Sequence, residues 1–179
     1  MSNPVTGLLL VAATLAALHT TSAQAEILIG AAGPLSVQNT LQGEQLRRGA
    51  EMAVADLNAR GGVLGQRVRL IVADDACDAD QAVAVANQLV SQRVAMVSGH
   101  LCSASSIPAS KVYTKAGIVM ISPASTNPKL TDQGGPNVFR VIGRDDQQGL
   151  VAGNYLADHW GKTKIAILHD GQKIGRAHV

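Results

Sequence analysis

The sequence predicts an α/β domain built around a mostly parallel sheet. Short apolar runs and amphipathic stretches alternate along the chain, and glycine, proline or aspartate separates many of them. The amphipathic stretches are long enough to serve as crossover helices, and βαβ units of this kind cover both faces of a parallel sheet. In such folds ligands bind at the carboxyl ends of the strands, where loops lead into helix N-termini.

The first 25 residues predict a secretory signal peptide. Residues 7–18 are almost wholly apolar, and Ala23-Gln24-Ala25 has the small-x-small form of a signal-peptidase site. A membrane-spanning helix needs about 20 apolar residues, so this run is too short to span a bilayer. The basic residues that usually precede the apolar run of a signal peptide are absent. The alternative interpretation is a buried N-terminal helix. We expect cleavage after Ala25 and an exported protein with no membrane insertion afterwards.

Two strands and two helices are predicted in the first half of the remaining chain. Residues 26–34 form an apolar run that Gly33-Pro34 interrupts, and residues 67–75 form a second strand. The first helix occupies residues 42–62 and ends at Gly61-Gly62, because glycine tolerates the left-handed cap. The second helix occupies residues 80–92. Each helix has one apolar face: Leu46, Ala50, Ala53 and Leu57 in the first, and Ala82, Val85, Ala86 and Leu89 in the second.

The second half continues the alternation. Residues 94–99 and 118–125 predict the third and fourth strands. Between them, residues 103–117 predict a helix that Gly117 closes, and Pro108 is tolerable only in its first turn. A shorter extended segment at 137–143, a helix at 146–161 and a buried strand at 164–169 follow.

Composition excludes several classes of function. The net charge is +2, from 15 basic and 13 acidic residues, and the basic residues are scattered without interleaved aromatic ones. This pattern supports neither a nucleic-acid interface nor a membrane-binding patch. No G-x-G-x-x-G follows the first strand and no P-loop is present, so we expect no nucleotide cofactor.

The two cysteines follow the second and third predicted strands. If those strands are neighbours in the sheet, Cys77 and Cys102 lie at one edge within bridging distance, and export favours the oxidised state. Two alternatives remain open. A zinc site could combine the cysteines with His100 and nearby aspartates, although aspartates in such positions more simply cap helices. A catalytic Cys102 could use His100 as its base. The residues favour a disulfide and no metal.

Serine-rich loops follow the third and fourth strands. Ser103, Ser105 and Ser106 stand at the start of the third helix, where one serine would suffice as an N-cap. Backbone N–H groups and hydroxyls at a helix start also bind anions such as carboxylates. The next loop offers Ser122, Ser125 and Thr126. We therefore predict that two adjacent loops converge on one small polar ligand.

Several motifs together resemble a known family. They are "DDACDADQAVAVANQLV", "GHLCSASSIPAS", "MISPASTNPKLT" and, in the same order, "AVADLNARGGVLGQRVRLIVADD" and "AILHDGQK". Over residues 26–173 the chain closely resembles the periplasmic leucine/isoleucine/valine-binding proteins of ABC importers. The resemblance implies the type I periplasmic-binding-protein (Venus-flytrap) fold, in which two α/β lobes joined by a three-strand hinge close around one ligand.

The resemblance also implies site residues. Cys77 and Cys102 would pair, and Ser103 would bind the ligand α-carboxylate. Ala124 and Thr126 would bind the carboxylate and the α-ammonium, with Ser125 between them. Gln42 stands where the family often has an aromatic residue against the ligand side chain, with a few extra residues at 37–41, which admits a more polar ligand. No catalytic residue, cofactor or metal is implied.

The resemblance divides the chain into lobe 1 at residues 26–142 and the start of lobe 2 at 143–173. The last six residues, IGRAHV, match one reading frame of a common sequencing adapter, and we interpret 174–179 as adapter read-through. The family usually has tyrosine where Ile174 stands. The chain as written should fold poorly and bind little, because lobe 1 lacks its late strands and apolar faces stay uncovered.

These features predict a monomeric periplasmic protein that delivers an amino acid to ABC permease subunits and performs no chemistry. One alternative is a ligand-sensing module of the same fold, which reports an amino acid or amide to a receptor or regulator. Another is an exported hydrolase with Ser103 or Cys102 as nucleophile, but the chain lacks a G-x-S-x-G elbow.

Overall fold

The computed structural model describes residues 26–161 and 164–166. The predicted signal peptide, residues 167–169 of the predicted strand at 164–169, Ile174 and the adapter match lie outside these residues. The elements in chain order are β1 (Ile27–Gly33), α1 (Thr40–Ala59), β2 (Val68–Asp74), α2 (Ala79–Ser91), β3 (Met96–Gly99), α3 (Ser103–Ala116), β4 (Val119–Ser122), α4 (Lys129–Asp132), β5 (Val138–Arg140) and α5 (Asp145–Trp160).

The strands form one parallel sheet in the order β2-β1-β3-β4-β5. Strand β1 lies between two partners, pairing with β2 from Ile27↔Val68 to Gly33↔Asp74 and with β3 from Ile29↔Met96 to Ala32↔Gly99. The predicted α/β class with a parallel sheet flanked by helices is confirmed. Within the described segment, no helix combines the length and apolarity that crossing a membrane would require.

One face of the sheet is closed by α2 and α3. The predicted face of α2 is fully confirmed, because Ala82, Val85, Ala86 and Leu89 are all buried. Gly30 in β1 provides the room that Leu89 occupies, since a Cβ atom at Gly30 would lie 3.0 Å from Leu89 Cδ1. The buried core consists of Ala32, Ala73, Ala82, Val85, Ala86, Leu89, Val94, Val97, Ala109, Tyr113, Ile118, Met120, Leu130 and Val138.

The opposite face lies under α1 and stays open. A cavity of about 680 Å³ separates α1 from the sheet, with Ile29, Leu70 and Met96 on its sheet side. The face predicted for the first helix lines this cavity and does not join the core: Leu46, Ala50 and Leu57 are only partly buried and Ala53 is exposed. Helical spacing identified an apolar face correctly but not whether anything covers it.

The condition considered for the cysteines is not met, because β1 lies between β2 and β3. One local expectation was wrong. Pro108 stands in the second turn of α3, not in the first. A proline there removes one intrahelical hydrogen bond, and the buried residues of α3 that follow it, Ala109, Ser110 and Tyr113, hold the helix in place.

The chain becomes poorly covered after β5. In α5 only Asp145 is buried, while Leu150 and Val151 are 65% and 68% exposed. Of the predicted strand at 164–169, residues 164–166 are described, and they are exposed and outside any strand, contrary to expectation. A parallel strand needs a neighbour to accept its hydrogen bonds, and the sheet formed by the described residues ends at β5.

Candidate functional site

Four loops meet at the carboxyl end of the sheet, where the fold predicts a ligand site. They follow β1, β2, β3 and β4 and lead into α1, α2, α3 and α4. Because all strands are parallel, these loops share one edge. All five predicted ligand-binding residues lie in these loops or in the first turns of the helices that follow them.

A disulfide joins two of the loops. Cys77 and Cys102 are bonded with their Cα atoms 5.4 Å apart, so the predicted pairing is confirmed although β1 separates their strands. The loops reach each other over the end of β1, and Asn39 Nδ2 lies 3.6 Å from Cys77 Sγ. A bonded Cys102 has no thiol to offer as a nucleophile, which removes that enzymatic alternative.

The aspartates near Cys77 have structural partners. Asp78 is the N-cap of α2, accepting hydrogen bonds from the backbone N–H groups of Asp80 and Gln81. Burial raises the pKa of Asp74, but hydrogen bonds from Ser36 Oγ and the Leu35 backbone outweigh it and hold that pKa below its ordinary value. Among the residues described, no cluster of three metal-ligating side chains occurs.

His100 is enclosed beneath the loops. Its Nδ1 lies 2.6 Å from Asp75 Oδ2 and its Nε2 lies 3.0 Å from the Tyr113 hydroxyl, and all three side chains are fully buried. Burial, and secondarily the Asp75 charge, raises the pKa of Tyr113, so its hydroxyl keeps its proton. With both ring nitrogens engaged, His100 is not free to act as the base that a hydrolase using Ser103 would require of it.

The predicted serines have different roles. Ser105, Ser106, Ser122 and Ser125 are fully buried. The hydroxyls of Ser106 and Ser122 donate to the main-chain oxygen of His100 at 2.9 and 2.7 Å. Ser125 Oγ donates to the Leu101 oxygen at 3.0 Å and lies 2.6 Å from Ser106 Oγ. These buried serines connect the loops below the surface.

Ser103 links the two loops that were predicted to converge. It is the first residue of α3, it is 2% exposed, and its Oγ accepts a hydrogen bond from the Asn127 backbone N–H at 3.3 Å. A hydroxyl that accepts one bond still has a proton to donate. Plain N-capping by a serine is wrong, because the N-cap is Cys102 and makes no side-chain cap hydrogen bond.

Gln42 and Ala124 line the same cavity. Gln42 is in the first turn of α1 and Ala124 is in the loop after β4, with Leu101 and Pro123 beside them. Gln42 is one of the few polar side chains in the lining of this cavity between α1 and the sheet, which is chiefly apolar. An aliphatic side chain entering here would meet Gln42 on one side and apolar atoms on the other.

Thr126 lies on the far side of the same loop. It lines a second cavity, of about 720 Å³, together with Ile142, Gly143 and residues of α5. The Thr126 oxygen accepts a hydrogen bond from the Asp145 backbone N–H at 3.0 Å, which fixes the first turn of α5 against the loop. Thr126 therefore lies between the end of the sheet and the start of α5.

Two residues have roles here that the sequence did not predict: Arg140, and Asp75 as the partner of His100. The Arg140 guanidinium donates to the main-chain oxygens of Ser125 and Asn127 at 2.8 and 2.9 Å, so it holds the loop that carries Thr126. Burial lowers the pKa of Arg140. In the described part of the chain, Arg140 Nε and Asp145 Oδ2 are buried without a hydrogen-bond partner. The only sequence signal for Arg140 was a cation at the end of a strand.

The arrangement of a parallel sheet, a disulfide across β1 and paired loops over its carboxyl edge agrees with a match at sequence level. The family described as "Periplasmic binding protein" matches residues 26–179. The chain belongs to this family. An amino acid binding protein of Pseudomonas aeruginosa is 51% identical over 157 residues, covering 87% of this chain and 42% of that protein. The Leu/Ile/Val-binding protein homolog 1 of Brucella abortus is 44% identical over 155 residues, covering 87% and 42%.

Solved structures of the family share the fold. An ABC transporter substrate-binding protein from Desulfitobacterium hafniense in complex with Leu is 39% identical with a TM-score of 0.65, covering 75% of this chain and 39% of that one. A branched-chain amino acid transporter substrate binding protein from Streptococcus pneumoniae, in complex with isoleucine, is 30% identical with a TM-score of 0.70 and the same coverage. This periplasmic binding protein chain spans about two fifths of the length of such relatives.

Proposed function

We propose that this chain is the N-terminal part of a binding protein that captures a branched-chain or related amino acid and delivers it to an ABC importer. The observation that carries the proposal is the junction of two loops at Ser103, whose Oγ accepts a hydrogen bond from the Asn127 backbone N–H. Relatives named for leucine, isoleucine and valine, and neighbours solved with Leu and isoleucine, support the ligand class.

The amino acid main chain binds at this junction in the proposal. The N-terminus of a helix favours an anion, because backbone N–H groups point outward and the helix dipole is positive there. Ser103 is the first residue of α3, which places its hydroxyl beside such an N-terminus. The ligand carboxylate accepts from Ser103 and from the backbone near Ala124, and the ammonium is held by Thr126. Ser125 contributes indirectly, since its hydroxyl and its backbone N–H are both engaged within the protein and it holds Ala124 and Thr126 in place.

Gln42 sets the preference for the ligand side chain in this proposal. It is exposed at the mouth of the cavity that Ala124 also lines. A glutamine offers an amide to hydrogen-bond where a large aromatic ring would only add apolar area. Small polar side chains should therefore be accepted beside aliphatic ones, with threonine the first to test.

The remaining parts of the proposal concern the whole protein. Lobe 1 is assigned to residues 26–142 and lobe 2 begins at 143, which agrees with β5 ending at Arg140 and α5 beginning at Asp145. Closure of the lobes on the ligand selects the bound state, so binding needs no chemical step. The protein is a periplasmic monomer that engages the permease subunits of its transporter.

The test is calorimetry on the full-length protein with leucine, isoleucine, valine, threonine and alanine. We expect binding, and we expect Ser103→Ala to weaken it about 10- to 100-fold, because a hydrogen bond to a charged group is lost. Ser110→Ala is the matched control: Ser110 lies in the same helix, is 2% exposed and donates to the Ile107 oxygen at 2.8 Å. Absence of binding to all five amino acids, or equal loss in both variants, would contradict the proposal.

A further inference from the structure

The Asp75–His100–Tyr113 hydrogen-bonded chain lies directly beneath the proposed carboxylate site and takes no part in the binding roles assigned above. Its three side chains are among the largest fully buried ones in the described residues. A buried carboxylate and imidazole far from water need specific partners, because an unpaired polar group in the interior is destabilising. We propose that His100 is the positioning residue of the ligand site. This inference rests on the proposed function and adds to it.

The hydrogen-bond donors toward the Asp75 carboxylate follow from its chemistry. The Asp75 carboxylate accepts, receiving the Cys77 backbone N–H at 2.9 Å on Oδ1 and His100 Nδ1–H at 2.6 Å on Oδ2. The Nε2 atom on the other side of the ring lies 3.0 Å from the Tyr113 hydroxyl. The ring is therefore held at both ends, in one orientation.

A held ring fixes the main chain that carries it. The His100 carbonyl oxygen accepts from Ser106 and Ser122 at 2.9 and 2.7 Å, so it joins the loop after β3 to the loop after β4. Ser122 Oγ in turn accepts the Ser125 backbone N–H at 3.0 Å. This last bond sets the backbone on either side of Ser125, where Ala124 and Thr126 stand.

The disulfide provides a second connection between the loops that follow β2 and β3. Asp75 contacts His100 and Cys77 is bonded to Cys102, so the two connections lie two positions apart in both loops. The covalent bond limits how far the loops separate, whereas the polar side chains set the orientation of the His100 carbonyl. Ser103 follows Cys102 directly, and its position depends on both.

The experiment compares two amide substitutions in the full-length protein. In His100→Asn the side-chain amide takes the place of Nδ1–H and can still donate to Asp75. In His100→Gln the longer side chain places the amide nearer the position of Nε2. We expect His100→Gln to weaken leucine binding about tenfold, as expected when a buried acceptor loses its donor, and His100→Asn to recover most of that loss. Leu89→Ala is the matched control, since it removes buried volume in α2 away from the loops. It should lower the unfolding temperature and leave the affinity unchanged.

Two results would overturn the inference: equal affinities for both amide variants, or a loss in Leu89→Ala as large as in His100→Gln. Hydrogen–deuterium exchange of loops 100–106 and 122–127 gives a readout that needs no ligand. His100→Gln should accelerate exchange in both loops and Leu89→Ala in neither. If the wild-type protein binds no amino acid, the proposed function fails and this exchange result alone decides the inference.

A third variant covers the case in which His100→Gln does not fold. Tyr113→Phe removes one hydroxyl and keeps the ring that fills the core. It should accelerate exchange in loop 100–106 and weaken leucine binding by about two- to threefold, because only the more distant hydrogen bond of the imidazole is lost. Unchanged exchange in this loop would contradict the inference.

Discussion

The two faces of the sheet are both apolar, yet only one of them is closed. On the α2–α3 face the side chains interlock, with Leu89 against Gly30 and Tyr113 fully buried. On the α1 face a cavity of about 680 Å³ lies between the helix and the strands. Successive side chains of a strand point to opposite faces: Val97 is buried in the core, while its neighbours Met96 and Ser98 line the cavity. The difference teaches that an apolar helix face indicates burial only where a partner supplies the second surface.

The largest expected effect concerns this chain expressed alone. Its open α1 face and the exposed apolar residues of α5, such as Leu150 and Tyr155, should bind an apolar fluorescent dye and broaden thermal unfolding. Leucine binding should be lost, because the other half of the cleft is missing in the proposed architecture. Calorimetry and dye fluorescence test this together. A sharp cooperative transition with micromolar leucine binding would show that the open face is not a liability.

A pair of leucine-to-alanine substitutions tests the two faces directly. Leu89→Ala on the closed face should cost about 2–5 kcal/mol, because it leaves a cavity in a tightly filled core. Leu57→Ala on the open face should cost less than about 1 kcal/mol, since Leu57 already borders a cavity. Urea unfolding followed by far-ultraviolet circular dichroism measures both. Equal costs would mean that the α1 face is closed in solution.

Removing the disulfide tests how much it stabilises the carboxyl edge of the sheet, which borders both faces. Replacing Cys77 and Cys102 by alanine should lower the free energy of unfolding by about 3 kcal/mol, because the bond joins residues 25 positions apart and closes a loop in the unfolded chain. The same loss should follow reduction of the wild-type chain, and reductant should not affect the double variant. A double variant as stable as the oxidised wild type would contradict the chain-entropy argument.

The smallest expected effect compares alanine substitutions at two glycines, which should change the free energy of unfolding in opposite directions. At Gly49 in α1 an added Cβ atom would have no neighbour within 4 Å, so Gly49→Ala should stabilise the chain by about 0.5–1 kcal/mol through helix propensity. Gly30→Ala should destabilise it, because its Cβ would press on Leu89 and Val97. Unfolding midpoints of the two variants decide this. Destabilisation by both substitutions would mean that α1 is covered.

Much of the site was predictable because its chemistry is local. Ser103 could be placed at a helix start and Cys77 and Cys102 at strand ends from spacing alone, and the disulfide is confirmed. Arg140 was missed because its role depends on carbonyl groups 12 to 15 positions earlier in the chain, to which no local pattern points. In the same way, the burial of the serine hydroxyls follows from convergence of loops on the His100 carbonyl.

The amino-acid sequence by itself determined the alternation of strands and helices, the apolar faces and the residue types at the strand ends. These depend on periodicity and turn chemistry within short windows. Tertiary structure decided that β1 lies between β2 and β3, that one face closes while the other stays open, and that His100 is held by Asp75 and Tyr113. Those features depend on which surfaces pack together across long sequence separations. The free energy of that packing cannot be assigned to any single segment of the chain.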